Sequence, residues 1–125
     1  VKCQRLHALF PNCPRRFNLL YLVSSLLTPD TVALAQMARC RGIRLVWNQN
    51  GVAYPAWYGP GWERLNAPMA ELLHVADHVF YQSQFCRMSA DRYLGRRQGP
   101  SEILYNAVDT RVFTPAASRD DRPLT

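Results

Sequence analysis

The chain has 125 residues, 48% hydrophobic and 19% charged, which is apolar enough to bury a core and too short for two domains of ordinary size. Nine acidic residues against fifteen basic ones leave a net charge of +6. Disorder is excluded by this balance, and the longest apolar stretch, Leu19 to Leu27, is broken by Ser24 and Ser25 and falls far short of the roughly 20 residues of a bilayer-spanning helix.

The opening, Val1-Lys2-Cys3-Gln4-Arg5, has no apolar run of the secretory kind behind it and no initiator Met, so the chain reads as an internal piece of a longer polypeptide. Asn18 to Ser24 is a nearly continuous apolar run, the pattern of a parallel strand covered on both faces. Thr28-Pro29-Asp30 then offers a cap hydroxyl, a first-turn proline and an acid, predicting a helix from there to Arg41. Its shared face would be Ala33, Leu34, Met37 and Ala38, with Gly42 as the left-handed stop.

Ile43 to Asn48 predicts a second strand, running into the polar string Asn48-Gln49-Asn50-Gly51. Tyr54 to Trp62 holds two Pro, two Gly and four large aromatics, a composition that predicts an irregular loop and one suited to a ligand or partner. Met69, Leu72, Leu73 and Ala76 follow helical spacing, with Asn66 as cap and Pro68 in the first turn. His78 to Tyr81 predicts a third strand, Ser83 caps a helix through Tyr93 closed by Leu94-Gly95, and Ser101 to Tyr105 predicts a fourth strand. Cys86, Ala90, Tyr93 and Leu94 would face the sheet. From Pro115 the composition is that of a linker.

This alternation predicts an α/β fold, a partial doubly wound parallel sheet with right-handed crossovers. In such sheets the ligand lies beyond the carboxyl ends of the strands. The polar residues there are Ser24-Ser25, Asn48-Gln49-Asn50, Gln82-Ser83 and Asn106.

The charge points to an anionic partner without choosing one. The Arg pairs 15–16 and 96–97 sit beside Pro or Gly rather than along one helix face, which disfavours nucleic acid. An anionic membrane surface and a phosphorylated small molecule fit equally well. Cys3, Cys13, Cys40 and Cys86 form no C-x-x-C pair and no His-flanked zinc pattern, so no metal site is expected. Cys40 and Cys86 fall on apolar helix positions, and the set reads as reduced thiols of a cytosolic protein.

Each candidate site residue has a structural alternative that the sequence leaves open. Ser83 is either a plain cap or, with the helix amides, a holder of a phosphate or sugar oxygen. Asn48, Gln49 and Asn50 either bind sugar hydroxyls or form a polar turn with Gly51 left-handed. Tyr54, Trp57, Tyr58 and Trp62 either make a stacking platform or pack on the helices. His7, His74 and His78 sit at places suited to packing or solvation. There is no G-x-G-x-x-G, Walker or G-x-S-x-G sequence, which argues against a complete dinucleotide site, a P-loop enzyme and an esterase.

Two stretches carry a resemblance. Ala76-Asp77-His78-Val79-Phe80-Tyr81-Gln82-Ser83-Gln84-Phe85, followed by Glu102-Ile103-Leu104-Tyr105-Asn106-Ala107-Val108-Asp109 and then Phe113 and Pro115, resembles the end of the N-terminal domain of family 4 glycosyltransferases. Ala107 stands where the usual second motif has Gly. The resemblance implies a GT-B protein of two Rossmann-like domains, of which residues 1–114 are the later part of the first, acceptor-side domain and 115–125 begin the interdomain linker. It implies transfer of a sugar from a nucleotide-sugar, a co-substrate with no other cofactor, to a glycan, polysaccharide or lipid acceptor. The donor-binding domain is not in these residues, so the piece alone is expected to be inactive. Many members carry a His-Asp pair where strand alignment puts Asn50-Gly51, and an Asn cannot act as a base. Asn50 would then orient acceptor or donor, with Asn48, Gln49, Gly51, Tyr54, Trp57 and Tyr58 lining the acceptor cleft and Ser83, Gln84 and Asn106 at its rim. A cytoplasmic location is expected, with peripheral contact at the inner face of the membrane through Arg15 and Arg16. The rival reading is a non-catalytic, flavodoxin-like module that binds a nucleotide or sugar.

Overall fold

The computed structural model describes residues 2–114, so the expected linker lies outside the described residues. Its elements are α1 (Lys2–Leu9), β1 (Leu19–Val23), a short 3-10 turn (Ser24–Leu26), α2 (Thr31–Cys40), β2 (Arg44–Gln49), α3 (Pro55–Tyr58), α4 (Trp62–Val75), β3 (His78–Tyr81), α5 (Gln84–Tyr93) and β4 (Ser101–Ile103). The four strands form one parallel sheet in the order β1-β2-β3-β4. The α/β parallel architecture expected from the alternation is therefore present, as one wing of a Rossmann-like sheet.

Sequential order has a geometric consequence. Right-handed crossovers between successive neighbours put every crossover helix on the same face. The core shows this: Leu45 and Trp47 of β2 and Val79 and Tyr81 of β3 pack with Ala35 of α2, Met69, Leu72 and Leu73 of α4, and Ala90 of α5. Leu20 and Leu22 of β1 join them. The residues between these, by the two-residue period of a strand, occupy the other face. There Leu19 is exposed, and Tyr21, Val23, Val46 and Phe80 are half-buried. The described residues thus cover one face of the sheet, not the two that the apolar run of β1 led us to expect.

Several boundaries differ from expectation for identifiable reasons. α2 starts at Thr31, because Thr28 and Thr31 bind one another instead: the Thr28 N–H donates to Thr31 Oγ1 at 2.8 Å and the two hydroxyls lie 2.9 Å apart. Its buried face is Thr31, Ala35 and Ala38, whose small side chains let the helix approach β2 and α4, while Ala33, Leu34 and Met37 are exposed. Cys40 is exposed as well, not part of an apolar face. Gly42 does take the left-handed turn, at φ 72°.

The largest difference is at α4. Residues 54–62 are not wholly irregular: α3 is a single turn within them, and α4 already begins at Trp62. Asn66 is therefore not a cap, and Pro68 lies inside the helix. The Asn66 amide is buried and pairs with the backbone of Ala53 in both directions, accepting from its N–H at 2.9 Å and donating to its carbonyl at 2.8 Å. That pairing fixes the 54–62 segment against α4 and so positions its aromatics. α1, an element the sequence pattern did not suggest, reaches the rest of the described chain through Arg5, 3.9 Å from Asp109.

Candidate functional site

At the carboxyl ends of the strands the polar residues join into one ribbon. The Asn50 N–H donates to Ser24 Oγ at 2.9 Å, and Asn50 Nδ2 donates to Ser25 Oγ at 3.0 Å. Gln82 Nε2 donates to Asn50 Oδ1, and Asn106 Nδ2 donates to Gln82 Oε1 at 3.1 Å. The Cys86 thiol donates to the Asn50 carbonyl at 2.8 Å. Ser24, Asn50, Gln82 and Asn106 each follow a different strand, so the ribbon crosses the whole sheet with Asn50 at its centre.

The three successive amides separate. Gln49, fully buried, faces the core, accepting from the Trp47 indole N–H at 2.7 Å and donating to the Gly51 carbonyl at 2.6 Å. Asn48, 1% exposed, faces the other side of the sheet and donates to the Tyr21 hydroxyl at 2.6 Å, leaving its own Oδ1 without a partner among the described residues. Only Asn50 reaches the edge. Gly51 is exposed and is not among the positive-φ glycines, so the left-handed turn considered for it does not form.

Ser83 acts as the cap of α5, its Oγ accepting from the Cys86 N–H at 3.1 Å. Gln84 is exposed at the first position of that helix, and Asn106 is exposed at the far end of the ribbon. Gln82 was named from sequence among the polar residues at the strand ends without a role of its own, and Cys86 only as a sheet-facing thiol. Gln82 was legible as the residue directly after β3, whereas the Cys86 link needs the tertiary fold.

The aromatics gather around Tyr93, the last residue of α5. Tyr54 stacks on Tyr93 of α5 at 5.9 Å between ring centres, and Trp62 meets Tyr93 edge-on at 5.4 Å. Trp57 lies 6.2 Å from both Tyr54 and Tyr58, and remains 66% exposed. Trp62 and Tyr93 are thus part of the support, while Trp57 and Tyr58 present open ring surface.

Titratable groups with shifted proton affinity serve other contacts. The Leu45 N–H and then Arg44 hold the Asp77 carboxyl below the usual range. Arg111 does the same for Asp109, through paired contacts at 3.1 and 3.0 Å. Burial pushes the Tyr81 phenol up within the core and Arg97 down at the end of α4. His7 accepts from the Asn12 N–H, His74 bonds the Leu94 carbonyl, and His78 pairs with Glu102, all outside the ribbon. Among the described residues no cluster of His, Cys, Asp and Glu is placed to hold a metal ion. Nor is any helix among them long and apolar enough to cross a membrane.

Fold and edge together define a class: a parallel α/β sheet with a neutral hydrogen-bonding ribbon at the ligand end. Comparison with known proteins goes no further, since the chain matches no family model, no curated protein and no solved structure.

Proposed function

We propose that this chain is part of the acceptor-side domain of a cytoplasmic glycosyltransferase of the family 4 type. It would act with a donor-binding domain outside these residues that supplies a nucleotide-sugar, and transfer the sugar to a glycan, polysaccharide or lipid acceptor. The supporting observation is the ribbon from Ser24 through Asn50 and Gln82 to Asn106, together with the open rings of Trp57 and Tyr58 on the segment that follows β2. Amides and hydroxyls both donate and accept, as sugar hydroxyls require, and aromatic faces stack on the apolar faces of sugar rings. The ribbon contains no carboxylate, imidazole or amine. Its residues would orient an acceptor hydroxyl, while stabilising the charge on the departing diphosphate falls to the donor side.

The test is to replace Trp57 and Tyr58 with Ala in the polypeptide that carries both halves. Each ring is worth about 0.5–1.5 kcal/mol, so acceptor KM should rise roughly 2- to 12-fold per ring. Donor binding should not change. A larger loss of donor binding than of acceptor use would remove these rings from the acceptor site, and absence of sugar transfer from any nucleotide-sugar would remove the enzyme reading. The neutral ribbon also favours a second reading, a flavodoxin-like module that binds a nucleotide or sugar and releases it unchanged.

A further inference from the structure

A groove of about 300 Å³ runs between the 54–58 segment and the outer face of α5, lined by Tyr54, Phe85, Met88, Ser89, Arg92 and Tyr93. That is the small end of the roughly 300–1,000 Å³ typical of small-molecule sites. We propose that it seats an amphiphilic acceptor: a medium-chain carboxylate whose hydroxyl lies at the ribbon, whose apolar body lies on Phe85 and Met88, and whose carboxylate meets Arg92. This rests on the acceptor-side reading above and gives that acceptor a chemical class.

Three observations carry it. Phe85 and Met88 are 73% and 68% exposed and three residues apart, so they make one apolar stripe on the helix surface. Together with Tyr54 they put a contiguous apolar strip against the groove. Next, Arg92 continues the stripe one turn on, and among the described residues it has no carboxylate partner. Its guanidinium lies 5.3 Å from the centre of the Tyr93 ring, a cation–π contact that uses none of its N–H donors and leaves the fork for a carboxylate. Last, the Phe85 end of the groove belongs to the first turn of α5, the turn that also carries the Ser83 cap and Cys86. Phe85 stands between Ser83 and Cys86, and the Cys86 thiol donates to the Asn50 carbonyl.

Length follows from helix geometry. Phe85 to Arg92 is seven residues, roughly 10 Å at 1.5 Å per residue, the span of about eight extended methylenes, and the remaining carbons of a twelve-carbon chain reach past Phe85 toward the ribbon. A hydroxyl at the ribbon is where a glycosyl acceptor must present its nucleophile. The anionic group, one helix length away, takes no part in the transfer and sets orientation and chain length.

The experiment is calorimetry on the 125-residue chain with 12-hydroxydodecanoate and 1,12-dodecanediol, both below aggregation. The hydroxy acid should bind at least tenfold tighter than the diol, and Arg92→Gln should erase that preference while leaving diol binding in place. Phe85→Ser and Met88→Ser, at exposed positions that the fold does not need, should weaken both ligands about tenfold. Equal binding of acid and diol, or affinity indifferent to the Ser variants, overturns the proposal. So does binding of an acidic amphipathic peptide or of phosphatidylglycerol vesicles that is lost in the same variants while the hydroxy acid shows none. The two readings fail separately. Maltoheptaose binding that needs Trp57, without hydroxy acid binding, removes the groove ligand and keeps the acceptor side. Hydroxy acid bound in the groove but never glycosylated by the polypeptide carrying both halves keeps the ligand and removes the transferase.

Discussion

The two ends of the sheet are held by different chemistry. At the amino end the ties run through ionisable side chains: the Asp77 carboxylate accepts from the Leu45 N–H at 2.7 Å and from Arg44 at 2.9 Å. Arg97 donates to the Leu73 carbonyl and, at 2.5 Å, to the Ala76 carbonyl, which closes the carboxyl-terminal end of α4. His78 and Glu102 stand 3.2 Å apart across β3 and β4. At the carboxyl end the ties are amides, hydroxyls and one thiol. Charges matched inside the chain consume each other's bonding capacity and serve the fold. Neutral amides keep spare donors and lone pairs, so the carboxyl end can hold itself together and still bind a ligand. The amino end should therefore be costly to mutate and sensitive to pH, and the ribbon cheap to mutate and indifferent to it.

The sharpest way to break this contrast is Arg97→Ala. It strands two carbonyls at the end of α4 and removes a half-buried charge-assisted contact, and should lower stability by about 2–3 kcal/mol in urea unfolding. Arg97→Lys should recover less than half, since one ammonium cannot span both carbonyls as the guanidinium fork does. A loss under about 0.5 kcal/mol, the level of an ordinary surface change, would show that Arg97 is not part of the frame.

Asp77 gives the next effect. Its carboxyl is held below the usual range, so its contribution to stability is present above the ordinary aspartate value, about 4, and is lost as pH falls through the lowered folded value. Asp77→Asn should cost about 1–2 kcal/mol at pH 7 and should flatten the acid limb of the urea midpoint between pH 5 and pH 2. An acid limb as steep as in the parent chain would place the responsible carboxylate elsewhere. The smallest stability effect belongs to the carboxyl end. Asn50→Ala should cost about 0.5–1.5 kcal/mol with no change in pH dependence, yet reduce acceptor binding at least tenfold. Equal losses of stability and binding would make the ribbon a purely structural device.

The fold was legible where burial is periodic. Leu20 and Leu22, Leu45 and Trp47, and Val79 and Tyr81 fall in the apolar runs that marked three strands, and Ser83 and Gly42 marked a start and a stop. It was illegible where a polar residue acts at long range. Asn66 has the composition of a cap but binds the backbone of Ala53, thirteen residues earlier, and only the folded loop reveals that. The same limit applied to the site. A row of three amides after a strand contains one that faces the edge, and which one depends on a strand end that sequence places only to within a residue or two. One residue more of β2 turned Asn48 and Gln49 into buried positions and left the edge to Asn50. The groove was missed for another reason: the sheet face assigned to Cys86, Ala90, Tyr93 and Leu94 already turned Phe85 and Met88 outward, but only the folded loop brings Tyr54 alongside them.

Strand order carries a consequence for how the chain is made. Each strand here pairs only with its neighbours in sequence, so β1 and β2 can close with α2 between them before β3 has left the ribosome. β3 and β4 then add in turn to an edge that already exists. An interleaved sheet would have to keep its central position open until a late strand arrived. In this chain synthesis and assembly run in the same direction, and the last strand added, β4, is also the one whose loss would uncover the fewest partners.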